Sequence, residues 1–241
     1  MAPTWDRTND GLVRRLRLYR LGGGDSLAVE LVADLTGPEV ITHASATRAG
    51  RVVGAASGGA GLYGPAGLEQ TFACTPGEGQ PVAAISPSGE WVVTSHVDHM
   101  LREHLPSGAR TELRADGFKG FDGAQICDDG TVYTSGFRYP SHGLWRLGED
   151  DEPRRVSDDI RATVRADGRA LAEVQHGHVT LCDPTRTSED ATKLAHVIAR
   201  AELPVLGMAK YGRAAFGVGG TLVVLTDAYT VASVVLSGPA R

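Results

Sequence analysis

The chain has 241 residues, 41% hydrophobic, 22% charged and 6% aromatic, with 31 glycines and a formal net charge of -5. That apolar content is too high for a disordered chain, and the glycines lack the every-third spacing of collagen. The mild acidity argues against a general nucleic-acid binder, which carries a basic surface.

The first ten residues are polar and hold no apolar signal-peptide core, so a flexible N-terminus (1–10) and a cytoplasmic location are expected. Leu12–Leu21 and Leu27–Leu35 then read as two strands joined by the glycine run at Gly22. The first carries Arg14, Arg15, Arg17 and Arg20, the cationic studding that protects an exposed edge strand from aggregation.

From about residue 38 a repeat emerges. Five turns end on Gly50, Gly89, Gly130, Gly168 and Gly212, at intervals of 39, 41, 38 and 44 residues. Each precedes an apolar run: Arg51–Ala55, Trp91–Thr94, Thr131–Thr134, Ala170–Val174 and Ala214–Val218. Glycine suits these places because a tight hairpin needs a residue that tolerates positive φ. A third run follows in each unit, at Leu62, Leu101, Leu144, Val179 and Leu222. A fourth closes each one: Leu68–Cys74, Arg110–Arg114, Pro153–Val156, Lys193–Ala199 and Val231–Leu236. Four short strands in about 40 residues is the period of a propeller blade. The second strands are apolar rather than alternating because radial stacking covers both faces of each blade.

The segment Val-Ala-Ala-Ile-Ser-Pro-Ser-Gly-Glu-Trp-Val-Val-Thr-Ser (82–95) resembles the first half of a WD40-type repeat. His-Val-Thr-Leu-Cys-Asp (178–183) resembles its third strand, with Cys182 where that family places tryptophan; Leu-Val-Val-Leu-Thr-Asp (222–227) has Thr226 there. The resemblance spans about residues 40–238, and its one Trp-Asp pair, Trp5-Asp6, lies outside the pattern. Kelch-type and quinoprotein-type propellers stay open. The resemblance implies an all-β chain: a β-propeller of about five full four-stranded blades plus an N-terminal two-stranded partial blade. The expected single domain runs over 11–238, with blades at 11–37 (partial), 38–78, 79–117, 118–159, 160–201 and 202–238. The ring could have six blades with the first incomplete, five with an appended hairpin, or be an open fragment that a partner completes.

Residues 187–200 could form a short helix capped by Ser188, but the repeat needs an outer strand there, and the strand reading is preferred. The longest uncharged apolar stretch of the C-terminal third, Ala214–Thr226, has 13 residues. This falls short of the roughly 18–20 that span a bilayer. Cys74, Cys127 and Cys182 are odd in number and far apart, so neither a disulfide framework nor a four-cysteine zinc site is expected; all three read as small buried apolar residues.

The chemistry falls on the turns between second and third strands, which in a propeller share a face with the blade-to-blade connections. His96 and His99 lie in that turn of one unit, His142 in the next, and His176 and His178 in the one after. Imidazoles bind transition metals, so these five are weak candidate metal ligands, with exposed polar turns as the plainer reading. No catalytic residue and no cofactor are assigned: no Gly-x-Ser-x-Gly motif occurs, and no glycine-rich loop opens a helix after a strand. Asp128-Asp129-Gly130 reads as a turn, and Glu149–Glu152 as a solvated loop. The longest turn, Gly136–Gly143, presents Phe137, Arg138 and Tyr139, side chains of the kind that anchor interfaces. The expected partner-binding residues are therefore Phe137, Arg138, Tyr139, Asp98, His99 and His142. The expected function is a non-catalytic protein-interaction or scaffold module. The alternative is a propeller enzyme (lyase or hydrolase), or a metal- or ligand-binding protein using the histidine-bearing face. The expected partner is another protein, or a second copy of the chain if the propeller is incomplete, with no membrane and no nucleic acid.

Overall fold

The structure is a computed structural model. It describes residues 2–8, 11–21, 29–37, 41–136, 141–149, 152–175, 177–187, 195–202, 212–216, 221–226 and 231–235. Among these residues every regular element is a strand, and the strands form six antiparallel sheets in chain order. The first holds β1 (Ala2–Thr8), β2 (Gly11–Leu21) and β3 (Val29–Gly37). The second runs β4 (His43–Ala46), β5 (Val52–Ala56), β6 (Gly59–Gly64) and β7 (Gly67–Phe72). The third runs β8 (Ala83–Ile85), β9 (Trp91–Ser95), β10 (His99–His104) and β11 (Ala109–Arg114). The fourth runs β12 (Phe121–Ile126), β13 (Val132–Gly136), β14 (Leu144–Leu147) and β15 (Arg154–Ser157). The fifth runs β16 (Thr163–Val164), β17 (Leu171–Gln175), β18 (His178–Thr187) and β19 (Ala195–Glu202). The sixth holds β20 (Gly212–Phe216), β21 (Thr221–Thr226) and β22 (Val231–Val235).

One detail differs from the sequence reading. The N-terminal stretch, expected to be flexible, contains β1, which pairs with β2 from Ala2↔Arg17 to Thr8↔Gly11. The first sheet therefore has three strands rather than two, and one edge of the arginine-rich β2 is covered instead of exposed. Among the described residues the sixth sheet shows three strands. The place of its first strand, residues 203–211, is outside the described residues. In the segment 187–200, the strand reading holds for Ala195 onward, where β19 pairs with β18; residues 188–194 are outside the described set.

Inner and outer strands are told apart by what they touch. The first strands of successive sheets lie against one another. Ser45 Oγ accepts from Ile85 N at 2.7 Å, and His43 Nδ1 sits 2.7 Å from Ala83 O. Further on, the Gln125 side chain imitates a strand: its Nε2 donates to Ala162 O at 2.8 Å and its Oε1 accepts from Val164 N at 2.8 Å. The fourth strands of the second, third and fifth sheets face solvent; in β19 every residue from Val197 to Glu202 is exposed. Sheets joined at their first strands and free at their fourth are arranged radially, as propeller blades are.

Between neighbouring sheets from the second to the sixth lies a separate core, fed by both faces of the middle strands. In β8, Ala83 and Ile85 pack toward the second sheet while Ala84 packs toward the fourth. Val92 and Val93 of β9 split the same way. Val132 and Tyr133 of β13, and Leu171 and Ala172 of β17, repeat the division around the next two interfaces. A period-2 backbone thus explains why these runs are apolar at consecutive positions. The three cysteines are free and buried in two of these cores, as expected. Burial pushes the Cys127 and Cys182 thiols up to about 12, which keeps them protonated and poor nucleophiles.

Four of the five repeat glycines occupy the predicted turns. Gly50, Gly89, Gly130 and Gly168 have φ of 85°, 84°, 83° and 69°. Their amides donate to Thr47 O, Ser86 O, Cys127 O and Arg165 O at 3.2, 2.9, 3.0 and 2.8 Å. Each is an i→i+3 turn closed by a left-handed glycine; the pairs Thr47–Arg51 and Cys127–Thr131 bound three-residue loops, and Ser86–Trp91 and Arg165–Ala170 four-residue ones. Gly212, the fifth, is instead the first residue of β20. The four turns also touch in succession. Arg48 N donates to Pro87 O at 2.9 Å, Ser88 N to Asp128 Oδ1 at 2.7 Å, and Asp128 N to Ala166 O at 2.7 Å. Arg48 reaches two sheets on to Asp128 Oδ2 at 2.8 Å. Asp128, read from sequence as a turn residue, is therefore also a clasp between blades. Asp128→Ala is expected to lower unfolding stability by about 1–2 kcal/mol, chiefly through the lost bond to Ser88 N, since the Arg48 pair is screened. Asp128→Asn, which keeps an acceptor, is expected to lose less; urea titration of the three proteins checks the order.

A second clasp runs further out. Arg102 of β10 lies 13% exposed, 5.0 Å from the Trp91 ring centroid. Its Nη1 donates to Gly130 O at 3.0 Å and its Nη2 pairs with Glu149. Glu149, expected to belong to a solvated loop, thus holds the third sheet to the fourth.

Candidate interaction face

Among the described residues, the connections 73–82 and 115–120 cross the same end of the sheets as the turn between second and third strands of the third sheet. At the third sheet that turn is Ser95-His96-Val97-Asp98-His99, closed by His96 N donating to His99 O at 2.9 Å. The connection 73–82 runs beside it: Thr75 N donates to Ser95 O at 3.1 Å, and Thr75 Oγ1 bonds His96 Nδ1 at 2.7 Å. From the other side Ala115 N donates to Asp98 O at 3.3 Å. The two connections meet where Glu78 N donates to Lys119 O at 2.9 Å, next to Gly79 and Gly120. Beneath them Phe118 stacks on Phe121 at 5.6 Å and meets Trp145 edge-on at 5.5 Å. The turn is thus braced from both sides over an aromatic floor.

Of the predicted site residues, the structure brings His96, Asp98 and His99 together. The His96 and His99 rings stack at 4.8 Å with 5° between their planes. His99 Nδ1 sits 2.9 Å from Asp98 Oδ1, and that bond holds the Asp98 carboxyl below its ordinary value. Asp98 and Val97 point outward, with Val97 58% exposed. Partial burial first, and then the charge of His99, lower the affinity of His96 for a proton. Near pH 6 the unfolded chain therefore binds more protons at this position than the folded one does. Its stabilising contribution is complete above the ordinary value of 6.5 and is lost as pH falls below it. His96→Gln, which cannot titrate, is expected to show a shallower fall in Tm than the parent between about pH 7 and 5, measured by thermal melts across that range.

The remaining predicted residues are scattered. His142 is exposed, and His178 is half-buried at the start of β18 opposite Gln175 and Glu202. His176, Phe137, Arg138 and Tyr139 lie outside the described residues. The stem of their loop is described: Trp145 Nε1 donates to Ser141 O at 2.8 Å, and buried Ser141 packs so closely on Gly136 that a Cβ there would meet its carbonyl oxygen at 2.3 Å. Among the described residues no group of three or more His, Cys, Asp and Glu is placed to hold a metal ion. No helix among them is long and apolar enough to cross a membrane, which says nothing of a β-barrel.

Two polar features escaped the sequence reading. His43, on the first strand of the second sheet, faces the neighbouring first strand rather than a turn. Glu173 of β17 accepts from Ser157 Oγ at 2.6 Å; burial raises its pKa, and the nearby Asp159 and Asp158 add to this. Asp159 is itself 7% exposed and accepts from Arg161 N at 2.8 Å. A lone glutamate in the apolar run Ala170–Val174 was the available signal for the second. Nothing in the sequence marked the first.

No known protein-family profile matches the chain, and no curated protein does. Solved structures match it by shape. One is the β-propeller domain of Cps50 (Swd1) from Myceliophteria thermophila, at a TM-score of 0.57 and 11% identity over 83% of this chain and 67% of that one. Another is a protein of unknown function from Bacteroides caccae, at 0.54 and 13% identity over 88% of this chain and 82% of that one. Identities this low speak to fold alone, and with the repeated radial sheets they show that this chain has a β-propeller fold.

Proposed function

We propose that the protein is a non-catalytic protein-interaction or scaffold module that works in the cytoplasm and binds another protein through the loops of one face. The observation that supports this reading most is the 95–99 turn: an exposed valine and an exposed carboxylate, held up by Thr75, Ala115 and a stacked imidazole pair. Recognition residues are typically carried on loops that a rigid scaffold positions. The neighbouring loop 136–143 adds Phe137, Arg138 and Tyr139, with exposed His142 beside its anchored stem. In sequence the two loops combine apolar and aromatic residues with charged ones, the residue types found in interface cores and rims. Affinity capture from a native extract tests it. The parent is expected to retain proteins that a Val97→Glu, Asp98→Arg double variant loses. Recovery of the parent alone, or an unchanged set on the variant, would overturn the reading.

A further inference from the structure

The turn that carries Val97 and Asp98 is closed by a histidine on either side. His96 N donates to His99 O at 2.9 Å, and the two rings lie 4.8 Å apart with 5° between their planes. Each ring is fixed at one nitrogen by a different segment. His96 Nδ1 is bonded to the Thr75 hydroxyl of the connection 73–82 at 2.7 Å, and His99 Nδ1 to Asp98 Oδ1 at 2.9 Å. The other nitrogen of His96 faces the Thr94 hydroxyl of β9 at 3.4 Å. The charges that act on the His96 ring are His99 and Asp98 within the turn and Glu112 on β11. Arg114, opposite His99 on β11, acts on Asp98.

These surroundings receive a first and a second proton differently. A proton on His99 meets the Asp98 carboxylate, whose side chain is 81% exposed, so water shares the charge. A proton on His96 meets only hydroxyls, in a partly buried place, and sets a second cation face to face with the first. Imidazole is the side chain that makes this change between pH 5 and 8. We propose that the stacked His96–His99 pair is an acid-sensitive latch on the 95–99 turn: with one proton or none the rings stay together and the turn is closed, and with two they part and the turn opens. Parting the rings pulls on the His96–His99 and Thr75–Ser95 backbone bonds, which hold Val97 and Asp98 in place. A protein held by those two residues is then released on acidification. That consequence rests on the proposed function, whereas the latch itself does not.

Amide hydrogen exchange of the free protein at about pH 7.5 and 5.5, expressed as protection relative to an unstructured chain, tests the latch. Protection of the His96 and Thr75 amides is expected to fall about tenfold at the lower pH. The Gly89 amide, in the turn at the other end of the same sheet, is expected to keep its protection. His96→Gln, which cannot take the second charge, is expected to show the same protection at both pH values. His99→Gln is expected to do likewise, so that one variant decides if the other folds poorly. Constant protection in the parent, an equal loss at Gly89, or a parent-like loss in a folded variant would each overturn the proposal. Capture from a native extract at the same two pH values is the separate arm. Proteins kept by the parent at the higher pH are expected to elute at the lower one and to stay on His96→Gln. Retention by the parent at both would overturn the release. A parent that captures nothing at the higher pH would overturn the proposed function, with the exchange result still deciding the latch.

Discussion

Phe121→Ala is expected to lower the unfolding free energy by about 3–5 kcal/mol, measured by urea denaturation. Phe121 is 1% exposed and opens β12. It belongs to the core between the third and fourth sheets, where Val93, Met100 and Leu113 come from one side and Ala124, Ile126 and Val132 from the other. Truncation removes apolar surface from that core and leaves a void whose walls belong to two separate sheets. The walls collapse poorly, since each sheet is held at its far face by another core. The loss also unseats Phe118, which stacks on Phe121 and supports the connection 115–120. A loss below about 1 kcal/mol would mean that the blades do not depend on their shared cores.

Gly120→Ala is expected to cost about 1–3 kcal/mol and to displace the crossing of the two connections. A Cβ at Gly120 would lie 2.3 Å from Gly79 N, and one at Gly79 would lie 2.5 Å from Phe121 O. Neither glycine has the left-handed φ that would explain it by conformation; the requirement is close approach of backbone to backbone. A side chain there cannot turn aside as a flexible neighbour would, so one connection must lift. The Glu78–Lys119 bond breaks first. The disturbance then reaches the 95–99 turn, because Gly77 packs against the Val97 carbonyl. Denaturation measures the stability loss. Imidazole resonances of His96 and His99, shifted by loss of their stacking, report the movement. Unchanged resonances alongside lost stability would show that the turn is independent of the crossing.

Both variants draw on features of different legibility. The turn glycines at 50, 89, 130 and 168 were readable because positive φ is a local demand that one residue type meets cheaply. The apolar middle strands were readable because a blade covered on both faces loses its polar positions, whichever neighbours it has. Gly79 and Gly120 were not readable. Their role arises where two segments about 40 residues apart cross, and each alone is an ordinary loop glycine. Asp128 was half readable: its turn is local, whereas its bonds to Arg48 and Ser88 exist only when three blades sit side by side.

The histidines divide the same way. Repeat position placed His96 and His99 in one turn, and the turn brought their rings together. It did not gather His142 or His178 with them, because residues at equivalent places on separate blades share a face without sharing a point.

Strand period, turn chemistry and the 40-residue rhythm were therefore legible in the bare chain, since each depends on neighbours in sequence or on burial of a whole face. Which sheets hold three strands and which glycines allow a crossing depend on contacts between segments far apart, and so became visible only with the blades assembled.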